Sequence, residues 1–198
     1  MPNNKIDLSI KQILRKHFDL KNSKQLRNLA IGAALKKLEG SKNKALKEFE
    51  KHEVTRSIED KTNSSLLGGE ANMFEYLGFE EGSDPTAPIK AIISSVKLQS
   101  KIPVVRVTNS FDIYYEFKVN YTSLDEIYKV SPLPWGGGRS WVKAVENGGV
   151  SNFNYTLRKT SSGRSGTAIQ SKYITRNFNY KPTDYVSVIM DKFKNEIK

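Results

Sequence analysis

Apolar residues return every three or four positions toward both ends of the chain and every second position near its middle, so helical and strand-forming parts separate by period alone. Ile6, Ile10, Ile13, Leu14 and Phe18 form one stripe of a helix over 5–20. A second helix begins near Ser23 with Leu26, Leu29, Ala30, Ala33 and Leu38 on its buried side. It can continue through Leu46 and Phe49, with Gly40-Ser41 marking a break or kink. At the other end, Thr183 is the expected cap of a final helix that buries Tyr185, Val186, Ile189, Met190, Phe193 and Ile197.

Between these helices the period changes. Val104 to Thr108 reads as a strand, and residues 111–119 alternate, with Phe111, Ile113, Tyr115, Phe117 and Val119 on one side. Asn109-Ser110 supplies a turn, which makes 104–119 a hairpin. Ile89 to Leu98 reads as a short helix or strand. Ser123 followed by Glu126 fits a capping box for a short helix to Tyr128. Ser140 can cap another that holds Trp141, Val142 and Val145 and stops at Gly148-Gly149. Residues 153–160 and 167–175 are two further strands joined by a Gly- and Ser-rich tip, and no internal repeat is present.

The pattern therefore predicts an α+β fold in which N-terminal helices and a C-terminal helix pack on a small antiparallel sheet with long ordered loops. A single domain is expected: helical and basic over 1–61, loop-rich over 62–103, sheet with an inserted helix over 104–182, and helix over 183–198. The segment from Thr62 to Pro88 mixes glycine and proline with Met73, Phe74, Tyr76, Leu77 and Phe79, too apolar for a free linker. It either folds back over the core or offers its aromatics to a neighbouring subunit.

Charge adds a statement about partners. The 198 residues carry 32 Lys and Arg against 21 Asp and Glu, a net of +11, and the excess is uneven. Residues 1–61 hold fifteen basic and eight acidic side chains, 62–130 six and nine, and 131–198 eleven and four. Two basic ends flank an acidic middle, a pattern suited to nucleic acid or to subunits that meet head to tail through opposite charge. A chain without cysteine has no disulfide, thiol nucleophile or thiolate metal site. No apolar run approaches the roughly 18 residues of a membrane span, and the start lacks a signal-peptide core, so no membrane partner is expected.

Candidate chemistry is sparse. His17 and His52 lie on predicted helices in Lys-rich surroundings, with no partner at metal-ligand spacing. Glu80-Glu81 and Asp125-Glu126 read as solvated pairs or helix-dipole partners. Gly136-Gly137-Gly138-Arg139-Ser140 precedes a helix but lacks the Lys-Ser or Lys-Thr ending of a phosphate loop. No catalytic residue, metal site or cofactor is expected, and the chain is expected not to be an enzyme. Arg158, Lys159, Arg164, Lys172 and Arg176 lie in or beside the second hairpin with Tyr155 and Tyr173 between them. Such a ribbon can contact phosphate and stack on bases. Equally, the tyrosines can be cross-strand partners and the cations solvated or turned to an acidic protein.

Several phrases together carry a resemblance. They are Phe49 to Ile58, Leu66 to Phe74 followed by Leu77-Gly78-Phe79, Pro132 to Trp135 with Gly138 to Trp141, and Ser165 to Gln170. Over roughly residues 45–175 the chain resembles tailed-bacteriophage neck and tail-completion proteins, structural proteins of the head-tail junction of the virion. The resemblance implies a non-enzymatic subunit, made in the host cytoplasm, that assembles with copies of itself into a ring at the neck or tail top and joins connector proteins to the tail. It further implies that Phe74, Tyr76, Leu77, Phe79, Trp135 and Trp141 anchor contacts between subunits. Arg158, Lys159, Arg164, Lys172 and Arg176 would face an acidic partner or phage DNA in a channel. The alternative is a nucleic-acid-binding protein that uses the basic hairpin at 153–176.

Overall fold

The computed structural model describes residues 23–69, 71–107, 113–134, 137–148, 158–159, 169–170, 180 and 182–197. The expected first helix, 5–20, lies outside them. Among the described residues the fold is α+β, with seven α-helices, one 3₁₀ turn and three two-stranded antiparallel ladders.

Helix α1 spans Lys24–Lys51, and the Ser23 hydroxyl accepts from the Leu26 N–H at 3.4 Å. The expected break at Gly40-Ser41 is absent. A single exposed glycine costs a helix about 1 kcal/mol relative to alanine, and 28 consecutive helical residues carry that cost. The predicted stripe also fails in its first half, because Leu29 is 70% exposed and Ala33 is exposed as well. Burial begins at Leu38 and recurs at Ser41, Ala45 and Phe49. Periodicity marks which face of a helix is apolar but not whether a core lies opposite it.

His52 adopts an extended backbone that ends α1 and caps α2 (Glu53–Glu59). The segment that follows folds back on its own unit, the first of the two options left open by the sequence. It forms a 3₁₀ turn at Ser65–Leu67 and helix α3 at Met73–Tyr76, drawn together by an antiparallel bridge between Asn63 and Asn72. Glu53 holds this turn: its carboxylate accepts from the Ser64 hydroxyl at 2.8 Å, the Ser65 N–H at 2.6 Å and the Ser65 hydroxyl at 3.0 Å. These bonds hold its pKa below the usual value although burial opposes them. Buried Ser57 ties α2 to α3 by donating to the Thr62 carbonyl and accepting from the Met73 N–H.

Helix α4 covers Ala87–Ser95, with Pro88 in its first turn and Ile89 and Ile93 buried. Two nested ladders follow. Strands β1 (Lys97–Leu98) and β4 (Val119–Asn120) pair outermost, with Lys97 opposite Asn120. Strands β2 (Val104–Val107) and β3 (Ile113–Glu116) form the predicted hairpin, with Val104 opposite Glu116 and Val107 opposite Ile113. The alternation holds, since Ile113, Tyr115, Phe117 and Val119 are half-buried while Tyr114, Glu116, Lys118 and Asn120 are exposed.

Helix α5 (Leu124–Lys129) carries the predicted capping box between Ser123 and Glu126. Helix α6 (Trp141–Asn147) is capped by Ser140 and ends at Gly148, whose φ of +71° is the left-handed conformation glycine adopts without strain. A Cβ at Gly148 would lie 2.9 Å from Pro182 Cγ, so the position excludes any larger residue on two grounds. Strands β5 (Arg158–Lys159) and β6 (Ile169–Gln170) are antiparallel, and the tip between them lies outside the described residues.

The last helix, α7 (Val186–Ile197), starts three residues after the cap expected at Thr183. Its first turn is satisfied from another element: Glu146 on α6 accepts from the Ser187 N–H at 2.7 Å. A carboxylate there meets both the orphan N–H and the positive end of the helix dipole. Thr183 instead donates its N–H to the Val145 carbonyl at 3.5 Å.

The chain, expected as one domain, divides into two compact units, one from Met1–Glu39 with Lys97–Asn120 and the other from Gly40–Val96 with Tyr121–Lys198. The larger unit holds a core in which Phe49, Val54, Ile58, Leu77, Ile89 and Trp141 meet Tyr185, Val186, Met190 and Phe193, all at most 2% exposed. The strands of the hairpin belong to the smaller unit.

Candidate interaction surface

The residues expected as contact anchors divide sharply. Phe74, Leu77 and Trp141 are 4%, 0% and 1% exposed, so in the single chain they fill the core and present nothing to a neighbour. This corrects their assignment as anchors: an aromatic-rich loop buries its rings in the nearest core it can reach. Phe79 is half-buried between Phe74, at 5.7 Å between ring centres, and Trp141, at 5.9 Å and nearly perpendicular. Tyr76 is half-buried against Tyr180 at 6.0 Å, and burial raises its pKa. Trp135 lies outside the described residues. Of the basic set, Arg158 and Lys159 pair through their backbone with Gln170 and Ile169; Arg164, Lys172 and Arg176 lie outside the described residues.

A cluster that the sequence did not reveal sits where α1 passes into α2. The Tyr185 ring stacks on Phe49 at 5.6 Å and lies 4.6 Å from His52 and 6.0 Å from Trp141. Its hydroxyl shares a 2.7 Å hydrogen bond with that of Thr55. His52 uses both ring nitrogens: Nδ1 accepts from the Val54 N–H at 3.3 Å and Nε2 lies 3.0 Å from the Asp184 carbonyl. An accepting Nδ1 leaves the proton on Nε2, so the neutral ring meets both partners. Burial lowers the His52 pKa, outweighing the Asp184 carbonyl and the charges of Glu53 and Glu146. His52 therefore stands between two helices as a cap, where the sequence reading placed it on a helix.

Glu146 connects three elements of the same unit. It accepts from the Tyr128 hydroxyl at 2.9 Å on α5, projects from α6, and caps α7. Burial, with Glu146 beside it, pushes the Tyr128 phenol up to about 12. On the opposite flank, buried Thr86 donates to Glu59 at 2.5 Å, and Glu59 pairs with Lys90 at 2.7 Å, joining α2 to α4.

These polar groups connect elements of the larger unit. The hydroxyl pairs Thr55–Tyr185 and Ser131–Ser140 are buried and bonded to one another, and Thr86 has no exposed surface. Among the described residues no group of three or more His, Asp or Glu side chains is arranged to hold a metal ion. No described helix is long and apolar enough to cross a membrane.

What the surface does offer is concentrated in the smaller unit. Among the described residues the exposed large hydrophobic side chains are Leu29, Leu35, Ile102, Val104 and Tyr114, and all five belong to it. Over its described residues eight basic side chains stand against two acidic ones. On one face of the hairpin, exposed Val104 and Tyr114 flank the Arg106–Glu116 pair, 2.9 Å across the strands. Exposed apolar side chains and unbalanced positive charge thus occur together in this unit. No family model, curated protein or solved structure matches the chain.

Proposed function

We propose that this chain is a structural subunit of the head-tail junction of a tailed bacteriophage, of the neck, tail-completion or tail-terminator type, which assembles with copies of itself into a ring that joins connector to tail. The role requires no catalysis, cofactor or metal. The observation that supports it best is the division of labour within the chain: the larger unit closes its own core, while the exposed apolar side chains of the described residues belong to the basic smaller unit. A protein that acts by docking needs a rigid body and a surface incomplete without its partner. The phrases between residues 45 and 175 that resemble neck and tail-completion proteins supply the particular assembly.

Interrupting the coding sequence in its genome of origin tests the reading. Heads and tails that form separately and fail to join are the expected result, reversed by supplying the chain from a plasmid. Infectious particles formed without it would refute the reading. The alternative, nucleic-acid contact through 153–176, has in its favour the antiparallel pairing of the Arg158–Lys159 strand. It predicts binding to duplex DNA that weakens steeply with salt.

A further inference from the structure

We propose that the smaller unit docks onto an acidic face of the larger unit in a second copy of this chain, an inference that rests on the ring reading and gives it an interface. The acidic face is built from α2, the 3₁₀ turn, α3 and the approach to α4. Over the described residues from 53 to 84 seven acidic side chains stand against two basic ones, all of them exposed, and Lys90 on α4 pairs with Glu59 at 2.7 Å. Contacts hold these segments together: Lys61 bonds Glu81, Thr86 bonds Glu59, and Glu53 bonds Ser64 and Ser65. The segments so joined carry exposed acidic side chains whose net charge opposes that of the smaller unit.

Charge complementarity selects the occupant. The smaller unit is +6 over its described residues and this face is −4 with Lys90 counted, so two copies attract when unlike faces meet and repel when like faces meet. Duplex DNA, the other polyanion that a basic surface fits, is an outcome of the test. A contact between two different faces is heterologous, and it builds a ring when the rotation between copies closes and an open filament when it does not.

Sedimentation of the purified chain tests this with two charge reversals. The first carries Lys24→Glu, Lys36→Glu, Lys97→Glu and Lys101→Glu; the second carries Asp60→Lys, Glu75→Lys and Glu80→Lys. All seven side chains are exposed, and circular dichroism verifies that each variant folds. The unaltered chain is expected to self-associate, more weakly as salt rises. Each variant alone should associate at least about tenfold more weakly, and the equimolar mixture should recover association because its unlike faces again match. Recovery is a result that misfolding cannot produce.

Rings of unchanged mass from either variant alone would overturn this interface and leave the head-tail reading standing. A folded mixture that fails to associate would also overturn the interface. A chain that stays monomeric but binds duplex DNA, and loses it with the first reversal, would assign the basic unit to nucleic acid instead. A chain monomeric with neither behaviour overturns the interface too, and the genetic interruption then decides the junction reading separately.

Discussion

Thr55 and Tyr185 are 130 positions apart, 0% and 1% exposed, and share one 2.7 Å hydrogen bond. Tyr185→Phe keeps the ring among Phe49, His52 and Trp141 but leaves the buried Thr55 hydroxyl without that partner, at a cost of about 1–3 kcal/mol. Thr55→Val strands the Tyr185 hydroxyl at a similar cost. The double variant removes both polar groups with shape retained and should lose no more than about 1 kcal/mol, giving a coupling of at least about 1 kcal/mol. Urea unfolding followed by tryptophan fluorescence reads the region directly, since Trp141 lies 6.0 Å from the Tyr185 ring. At a slope of about 2 kcal/mol per molar urea, a 2 kcal/mol loss moves the midpoint by about 1 M. Single variants within about 0.5 kcal/mol of the parent, combining additively, would refute a desolvated pair.

Two further outcomes follow from the same core. Burial depresses the folded-state pKa of His52 below its unfolded value near 6.5, so its stabilising contribution is present above pH 6.5 and is lost as pH falls through the folded pKa. His52→Asn preserves a capping side chain without a titrating ring, and the difference in unfolding free energy between parent and variant should shrink from pH 7.5 to pH 5; a pH-independent difference would contradict the neutral-ring geometry. Trp141→Ala should lose about 3–5 kcal/mol in urea unfolding followed by circular dichroism. A variant of parental stability that fails only to self-associate would return Trp141 to the surface role first expected of it.

The parts of the fold legible in the sequence are those decided by near neighbours. The Ser123–Glu126 capping box, the Ser140 cap, the Gly148 stop and the alternation through residues 113–119 each depend on positions a few residues apart, and each forms. Thr183 misled because the first turn of α7 is satisfied by Glu146, 41 positions earlier, and no local pattern encodes that partner. Gly40 misled in the other direction, since the length of α1 carries a residue that would end a shorter helix.

The anchor residues show a different limit. Phe74, Leu77 and Trp141 have the composition of an interface and of a core alike, because both are places where large apolar side chains leave water. Their burial is decided by how the turn at Ser65–Leu67 and helix α3 fold back, which rests on the contacts of Glu53 and Ser57. The cluster of His52, Thr55, Trp141 and Tyr185 was hidden for the same reason, being assembled from three distant stretches of chain. Charge asymmetry, in contrast, was visible at once as two basic ends around an acidic middle. The structure redistributes it: the insertion at 97–120 joins the N-terminal unit and adds Lys97, Lys101, Arg106 and Lys118 to it, while the acidic residues of 53–84 gather on the larger unit.

Electron cryomicroscopy of particles from the genome that encodes this chain is the most direct test of its assignment to the head-tail junction. The account predicts a ring at the neck or tail top into whose density α1, α4 and α7 fit, with the 97–120 hairpin of each copy against the α2–α3 face of the next. A junction built without this chain, or the chain found elsewhere in the particle or not at all, would contradict it.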